Sequence, residues 1–226
     1  MKKLTTMLSL AFSVMSLVSC GLIEMDEIPK TVVDMHLDRD TVYAMVGDTL
    51  IIQPVFKPDT VTVSDIYWST DNDTILHLDD NKFIAKNEGW TTVTAISVSH
   101  QVMDTCDVCV LSRWDLDSIA VYPYETVFYA DVTVDGQEFN PDDMFLGALI
   151  DDQLRGVGIM KEAHGIKYMQ IRVGSEIYDS EGVIEYTIKF CLYDRKTHTY
   201  RSFPDEVNFD CEAHGTLSNL YSLKLE

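Results

Sequence analysis

Cys106 and Cys109 stand at the C-x-x-C spacing of a redox or zinc motif. They lie within Val102–Leu111, where apolar and polar residues alternate as in a strand. Positions i and i+3 of a strand point to opposite faces, so the two sulfurs meet neither each other nor a common metal. A thioredoxin-type motif opens a helix, which this segment does not resemble, and a second pair with zinc spacing is missing. Cys106 is therefore expected to be a small core residue beside Val108 and Val110. Cys191 and Cys211 are left as a pair that oxidation could join.

Other chemistry is sparse. The six histidines, at 36, 77, 100, 164, 198 and 214, form no H-x-H or H-E-x-x-H motif. There is no P-loop and no G-x-S-x-G, and Gly156-Val157-Gly158 lacks the third glycine of a dinucleotide fingerprint. With 37 Asp and Glu residues, carboxylate pairs of the kind used in glycoside hydrolysis arise by chance. Asp71-Asn72-Asp73 has calcium-type ligands without an EF-hand loop and reads as an Asx-rich turn. No catalytic residue, no metal ligand and no cofactor site is expected, and the chain is read as a non-enzyme. Aromatic side chains remain: Trp90, Trp114, Tyr122, Tyr124 and Tyr129. Exposed rings of this kind stack on sugars, and buried ones serve cores and interfaces. Trp90, Trp114, Tyr122 and Tyr124 are the candidate ligand contacts.

The 226 residues suffice for one or two domains with real cores, being 46% hydrophobic. The net charge of -20 excludes nucleic acid as a partner in the absence of a basic patch. It also opposes electrostatic binding to anionic lipid. The chain starts with Met1-Lys2-Lys3, followed by an apolar run from Leu4 to Val18, the pattern of a secretory signal. Leu17-Val18-Ser19-Cys20 resembles the lipobox of bacterial lipoproteins. That resemblance implies lipid on Cys20, cleavage before it, and a membrane as partner through the anchor. Residues 1–19 are then a signal peptide and residues 20–30 a tether. Glu24, Asp26 and Glu27 in the tether resemble the surface-export signals of Bacteroidetes lipoproteins.

From Val32 onward the pattern is β. Runs at Val33–Leu37, Thr41–Val46, Thr49–Phe56, Ile66–Trp68, Phe83–Ala85, Trp90–Val98 and Val102–Leu111 are separated by turn residues. Val46-Gly47-Asp48-Thr49, Lys57-Pro58, Trp68-Ser69 and Gly89-Trp90-Thr91-Thr92-Val93-Thr94-Ala95 occur in that order. Together they resemble the bacterial immunoglobulin-like domain, group 2, over residues 31–111. The resemblance implies a sandwich used as spacer, adhesion module or glycan binder, with no catalytic residues. Gly47 and Gly89 suit turns with positive φ, and Trp68 suits a large core position.

Residues 112–118 read as a linker and 119–226 as a second β-sandwich domain, with Asp135-Gly136 as a turn. Leu146-Gly147-Ala148, Asp152-Gln153-Leu154-Arg155-Gly156 and Ile188-Lys189-Phe190-Cys191 resemble a module repeated in Bacteroidetes surface proteins. Leu154 stands where such modules often carry Cys. The expected fold class is all-β, two tandem β-sandwich domains, the first immunoglobulin-like, after a lipoprotein signal peptide. Asp-Thr/Ser-aliphatic triplets at Asp40, Asp48, Asp59, Asp73 and Asp117 resemble acceptors of O-glycosylation in Bacteroidetes. The expected function is non-enzymatic adhesion or binding by an outer-membrane lipoprotein, at the cell surface or the periplasmic face. Its expected partner is a glycan or another surface protein. The alternative is a carbohydrate-binding accessory of a polysaccharide-uptake system, and last a glycoside hydrolase.

Overall fold

The computed structural model describes residues 34–59, 65–177 and 186–226. The expected signal peptide, Cys20 and the tether lie outside the described residues, as does Thr60 of the third triplet. The described first module contains β1 (Asp34–Leu37), β2 (Thr41–Met45), β3 (Thr49–Leu50), β4 (Pro54–Lys57), β5 (Ile66–Thr70), β6 (Leu76–Asp79), β7 (Lys82–Ala85), β8 (Gly89–Ser97) and β9 (Val102–Leu111). One sheet runs β2-β9-β8-β5, with β2 parallel to β9. The other runs β3-β7-β6, and β1 pairs with β4. Two sheets in this order form an immunoglobulin-like sandwich. Period-2 alternation sends Val93, Ala95, Cys106 and Val108 inward onto Leu50, Leu76 and Phe83. The Trp68 ring meets Phe83 edge-on, with centroids 5.5 Å apart. Because β5 is an edge strand, Trp68 stays half-buried instead of filling the centre.

The second module contains β10 (Tyr124–Val134), β11 (Gln137–Glu138), β12 (Met144–Ile150), β13 (Gln153–Ala163), β14 (Ile166–Ser175), β15 (Thr187–Asp194), β16 (Thr199–Asn208), β17 (Ala213–His214) and β18 (Tyr221–Leu225). The sheet order is β11-β10-β14-β13-β12-β15-β16, and β17 and β18 also pair with β10. The start of β13 pairs with β12 and its later part with β14, so the sheet folds over on β13. At this fold a Cβ on Gly158 would lie 2.8 Å from the Met169 sulfur and 2.9 Å from Leu146 Cβ. The two halves enclose one core, where Phe128 and Phe190 meet edge to face at 5.0 Å. Both modules are β-sandwiches, and no α-helix occurs among the described residues.

Several expectations are refined. Gly47 (φ +98) and Gly89 (φ +136) do sit at positive φ, and Asp135-Gly136 turns with φ of 51 and 73. The run expected at Thr49–Phe56 is two strands, because Ile51–Gln53 leaves the ladder. Cys106 is buried in the first core, whereas Cys109 faces the other side of β9. All four cysteines among the described residues are free thiols, so Cys191 and Cys211 are not joined.

Candidate functional site: the junction groove

Strands β2, β9, β12 and β15 share one anomaly. Their alternation breaks where both faces become apolar, at Ala44-Met45, Val108–Val110, Leu146–Ala148 and Phe190–Tyr193. At Met45, Cys191 and Tyr193 the second face is covered at the junction of the two modules. Met45, Trp114, Val157, Cys191 and Tyr193 form a third apolar core between the two sandwiches, with Leu111, Phe145 and Leu154 packed against it. The expected linker is therefore not free. Trp114 lies over β12, where a Cβ on Gly147 would meet its ring at 3.0 Å.

A polar network sits beside this core. The turn carrying Gly47 and Asp48 places the Asp48 carboxylate under the second module. There Oδ2 accepts from Met45 N–H (3.1 Å) and from the Tyr193 hydroxyl (2.7 Å), and Oδ1 pairs with Arg195 Nε (3.0 Å). The Arg195 guanidinium also lies 4.4 Å from the Phe145 ring centroid. Asp48 is only 9% exposed, and three donors offset the cost of burying its charge. The Tyr193 hydroxyl donates to Asp48, and His198 Nδ1 lies 3.1 Å from the phenol oxygen. Burial raises the Tyr193 pKa well above the ordinary phenol value, with the Asp48 hydrogen bond adding to it. Burial also holds His198 below the ordinary imidazole value of 6.5.

Above this network runs a ladder of rings. Tyr43 and Tyr200 stack with centroids 5.4 Å apart and planes 25° apart. Trp90 meets Tyr43 edge-on at 6.0 Å, and Trp114 meets Tyr200 edge-on at 6.0 Å. Cross-strand register explains the first contact, because Tyr43 and Trp90 both flank Cys109 on the outer face of the sheet. Tyr43 and Tyr200 line an open groove of about 510 Å³ together with Thr199, Asp135, Asp194 and Arg201. Arg201 grips Asp135 with two 2.9 Å bonds, which holds that carboxyl below its usual range. Burial raises the Tyr200 hydroxyl, with Cys191 beside it as the next cause.

The four expected contact residues fall in different places. Trp90 is 58% exposed and belongs to the ring ladder. Trp114 is 7% exposed, and its ring is taken up by the junction. Tyr122 is half-buried beneath Arg155, and Tyr124 is exposed on β10, both apart from the groove. Sequence reasoning missed Tyr43 and Tyr200. Tyr43 was legible as an outward aromatic on an alternating strand, but its partner lies on β16, far along the chain.

The remaining groups do not assemble a reaction. Burial pushes the Cys106 thiol up to about 12 and raises that of Cys109, so neither is a thiolate at neutral pH. Ser99, His100 and Asp65 cluster, with Ser99 Oγ 2.7 Å from His100 Nδ1. The Asp65 carboxylate, however, accepts from the Ser99 amide and hydroxyl and not from the imidazole, whose Nδ1 faces the Ser97 and Ser99 hydroxyls. This wiring closes a hairpin and lacks the base–orienter bond of a nucleophilic triad. Among the described residues no three His, Cys, Asp or Glu side chains are grouped to hold a metal. Of the triplet hydroxyl residues, Thr41, Thr49 and Thr74 are exposed, each beside an inward aliphatic residue.

No family model matches the chain, and no curated protein matches it. Solved structures with some likeness include domains 4 and 5 of the S-layer protein SbsC, at 13% identity and TM-score 0.30, covering 85% of this chain and 98% of that one. SbsC domains 5-6 give 11% identity and TM-score 0.28 over 80% and 96%. Protocadherin gamma B2 extracellular cadherin domains 3-6 give 13% and 0.28 over 79% of this chain, which spans 46% of that structure. At this level of likeness none of them carries a function over.

Proposed function

We propose that the protein is a non-enzymatic binding or adhesion lipoprotein, anchored in the outer membrane through lipid on Cys20 and presented at the cell surface or periplasmic face. The observation that supports this reading is the ring ladder at the junction groove. Its outermost ring, Trp90, is exposed, and Tyr43 and Tyr200 are near-parallel beside hydroxyl, carboxylate and guanidinium groups. A partly apolar recess with a few convergent polar groups is the usual form of a ligand site. The exposed Trp90 ring also favours a second reading, a carbohydrate-binding accessory of a polysaccharide-uptake system, since flat apolar sugar faces stack on exposed rings. A hydrolase is disfavoured by the acidic pair available in the groove. Asp135 is held ionised by Arg201, whereas a general acid needs a raised pKa.

The protein is screened on a glycan array and on immobilised extracellular-matrix proteins, beside Tyr43→Ala and Trp90→Ala variants. Binding that falls at least tenfold in both variants supports the groove, and the panel that responds selects between the two readings. Blank panels, or binding indifferent to both substitutions, overturn the assignment. Acyl labelling of the chain in an envelope fraction, lost in Cys20→Ser, tests the anchor separately.

A further inference from the structure

A second recess lies beside the end of the expected linker, at Leu116 and Ile119. The connection after the 3-10 turn Leu116–Ser118 crosses β13 and β14 and lays the Tyr122 ring onto Gly174. A Cβ at Gly174 would fall 2.1 Å from that ring, so only glycine admits it. The Arg155 guanidinium carbon lies over the same ring, 5.0 Å from its centroid. A recess of about 220 Å³ opens here, with Val157, Ile159 and Ile119 supplying apolar wall and Gln170 an amide.

The two arginines at this recess are not equivalent. Arg172 is neutralised by Glu125, which accepts from both its Nε and its Nη2. Arg155 forms no ion pair among the described residues, and its Nη2 donates only to the Gln153 side-chain oxygen at 2.7 Å. Its Nε–H is shut off from solvent without any acceptor, the single side-chain atom in that condition among the described residues. A buried donor left unmade costs about 1–3 kcal/mol, and the guanidinium is held here despite that cost. On a chain of net charge -20, this is an uncompensated cation held against an aromatic face beside an apolar wall.

We propose that this recess binds a small carboxylate-bearing ligand through Arg155, with the apolar body of the ligand against Ile119 and Ile159. The planar guanidinium fork matches a carboxylate, and Tyr122 fixes the plane of that fork. The local balance of one free positive charge suits a monoanion. A phosphate dianion would meet Glu125 and the field of the whole acidic chain. A carboxylate of this kind is carried by an acidic sugar or by a short branched acid, and the two are separated by experiment.

Glucuronate, isobutyrate, glucose and inorganic phosphate are titrated into the full chain, and amide shifts of β13 and β14 are followed by NMR. Saturable shifts with either carboxylate are expected, none with glucose, and at least tenfold weaker binding by Arg155→Gln. Arg155→Lys, which keeps the charge and loses the fork, is expected to bind several-fold more weakly than the parent. Because Arg155→Gln removes an unsatisfied donor, its thermal midpoint is expected to hold or rise, which separates lost binding from lost folding. Response to glucuronate alone assigns an acidic sugar; response to isobutyrate assigns an apolar acid. No saturable shift, phosphate binding equal to carboxylate, or full binding by Arg155→Gln overturns the proposal.

Discussion

Asp48 binds a turn of the first sandwich to a strand of the second. Its partner Tyr193 is buried, and His198 leans on the same phenol. Burial is the largest influence on His198, and it disfavours the imidazolium. Asp48 and Asp194 draw the pKa upward, and Arg39 draws it down, leaving it below 6.5. The unfolded chain therefore takes up this proton before the folded chain does as pH falls. Stability from this residue is intact above about pH 6.5 and is lost progressively as pH falls toward the depressed folded value. Urea titrations across this window are expected to show unfolding free energy falling more steeply in the parent than in His198→Gln. The two curves run parallel above it. Parallel curves throughout would mean that His198 titrates alike in both states.

The hairpin between β12 and β13 shows how a local conflict is left in place at the level of an element. Ile150 pairs with Gln153, so the turn has two residues, Asp151 and Asp152, at φ of 51 and 59. The hairpin at His164-Gly165 puts glycine in its second place, at φ 77. Asp152 accepts left-handed backbone with a Cβ, beside a like charge on an acidic chain. Asp152→Gly is expected to raise stability by about 0.5 kcal/mol, as a higher urea midpoint with an unchanged m value. Elements with plain alternation are legible in the sequence alone. Strand β9 matches its expected bounds, and β2 and β8 differ by one residue at each altered end. Strand β16 was not legible, because it is a mostly polar edge strand broken by Pro204, a residue that argues against a central strand. Strand β6 was too short and mixed to stand out. The doubly apolar run Phe190–Tyr193 was visible in the sequence, but only the fold says what covers its second face. Of the residues around the groove, the sequence singled out Trp90 and the motif holding Asp48. The ring partner Tyr200 and the phenol partner Tyr193 were not legible, since no local spacing relates Asp48 to a residue 145 positions away.

On the scale of the molecule, the third core decides how the two sandwiches behave. The described residues, from Asp34 onward, belong to one compact unit. Met45, Val157, Cys191 and Tyr193 are withdrawn from water by the junction, and Trp114 is the large side chain that fills it. A ring of this size buries roughly 150–250 Å² and its truncation to Ala costs about 3–5 kcal/mol. Each sandwich also has its own core, so losing the junction need not unfold either one. In the parent protein, near-ultraviolet and far-ultraviolet circular dichroism are expected to report one coincident unfolding transition. In Trp114→Ala the transition is expected to split, the first module unfolding at lower urea because Met45 and Leu111 are uncovered. The same substitution is expected to weaken any ligand held by Tyr43 and Tyr200, since these rings come from opposite modules and meet only while the junction is closed. A single, unshifted transition in Trp114→Ala would mean that Asp48 and Tyr193 alone hold the modules together, and Tyr193→Phe in that background would then be the substitution that separates them.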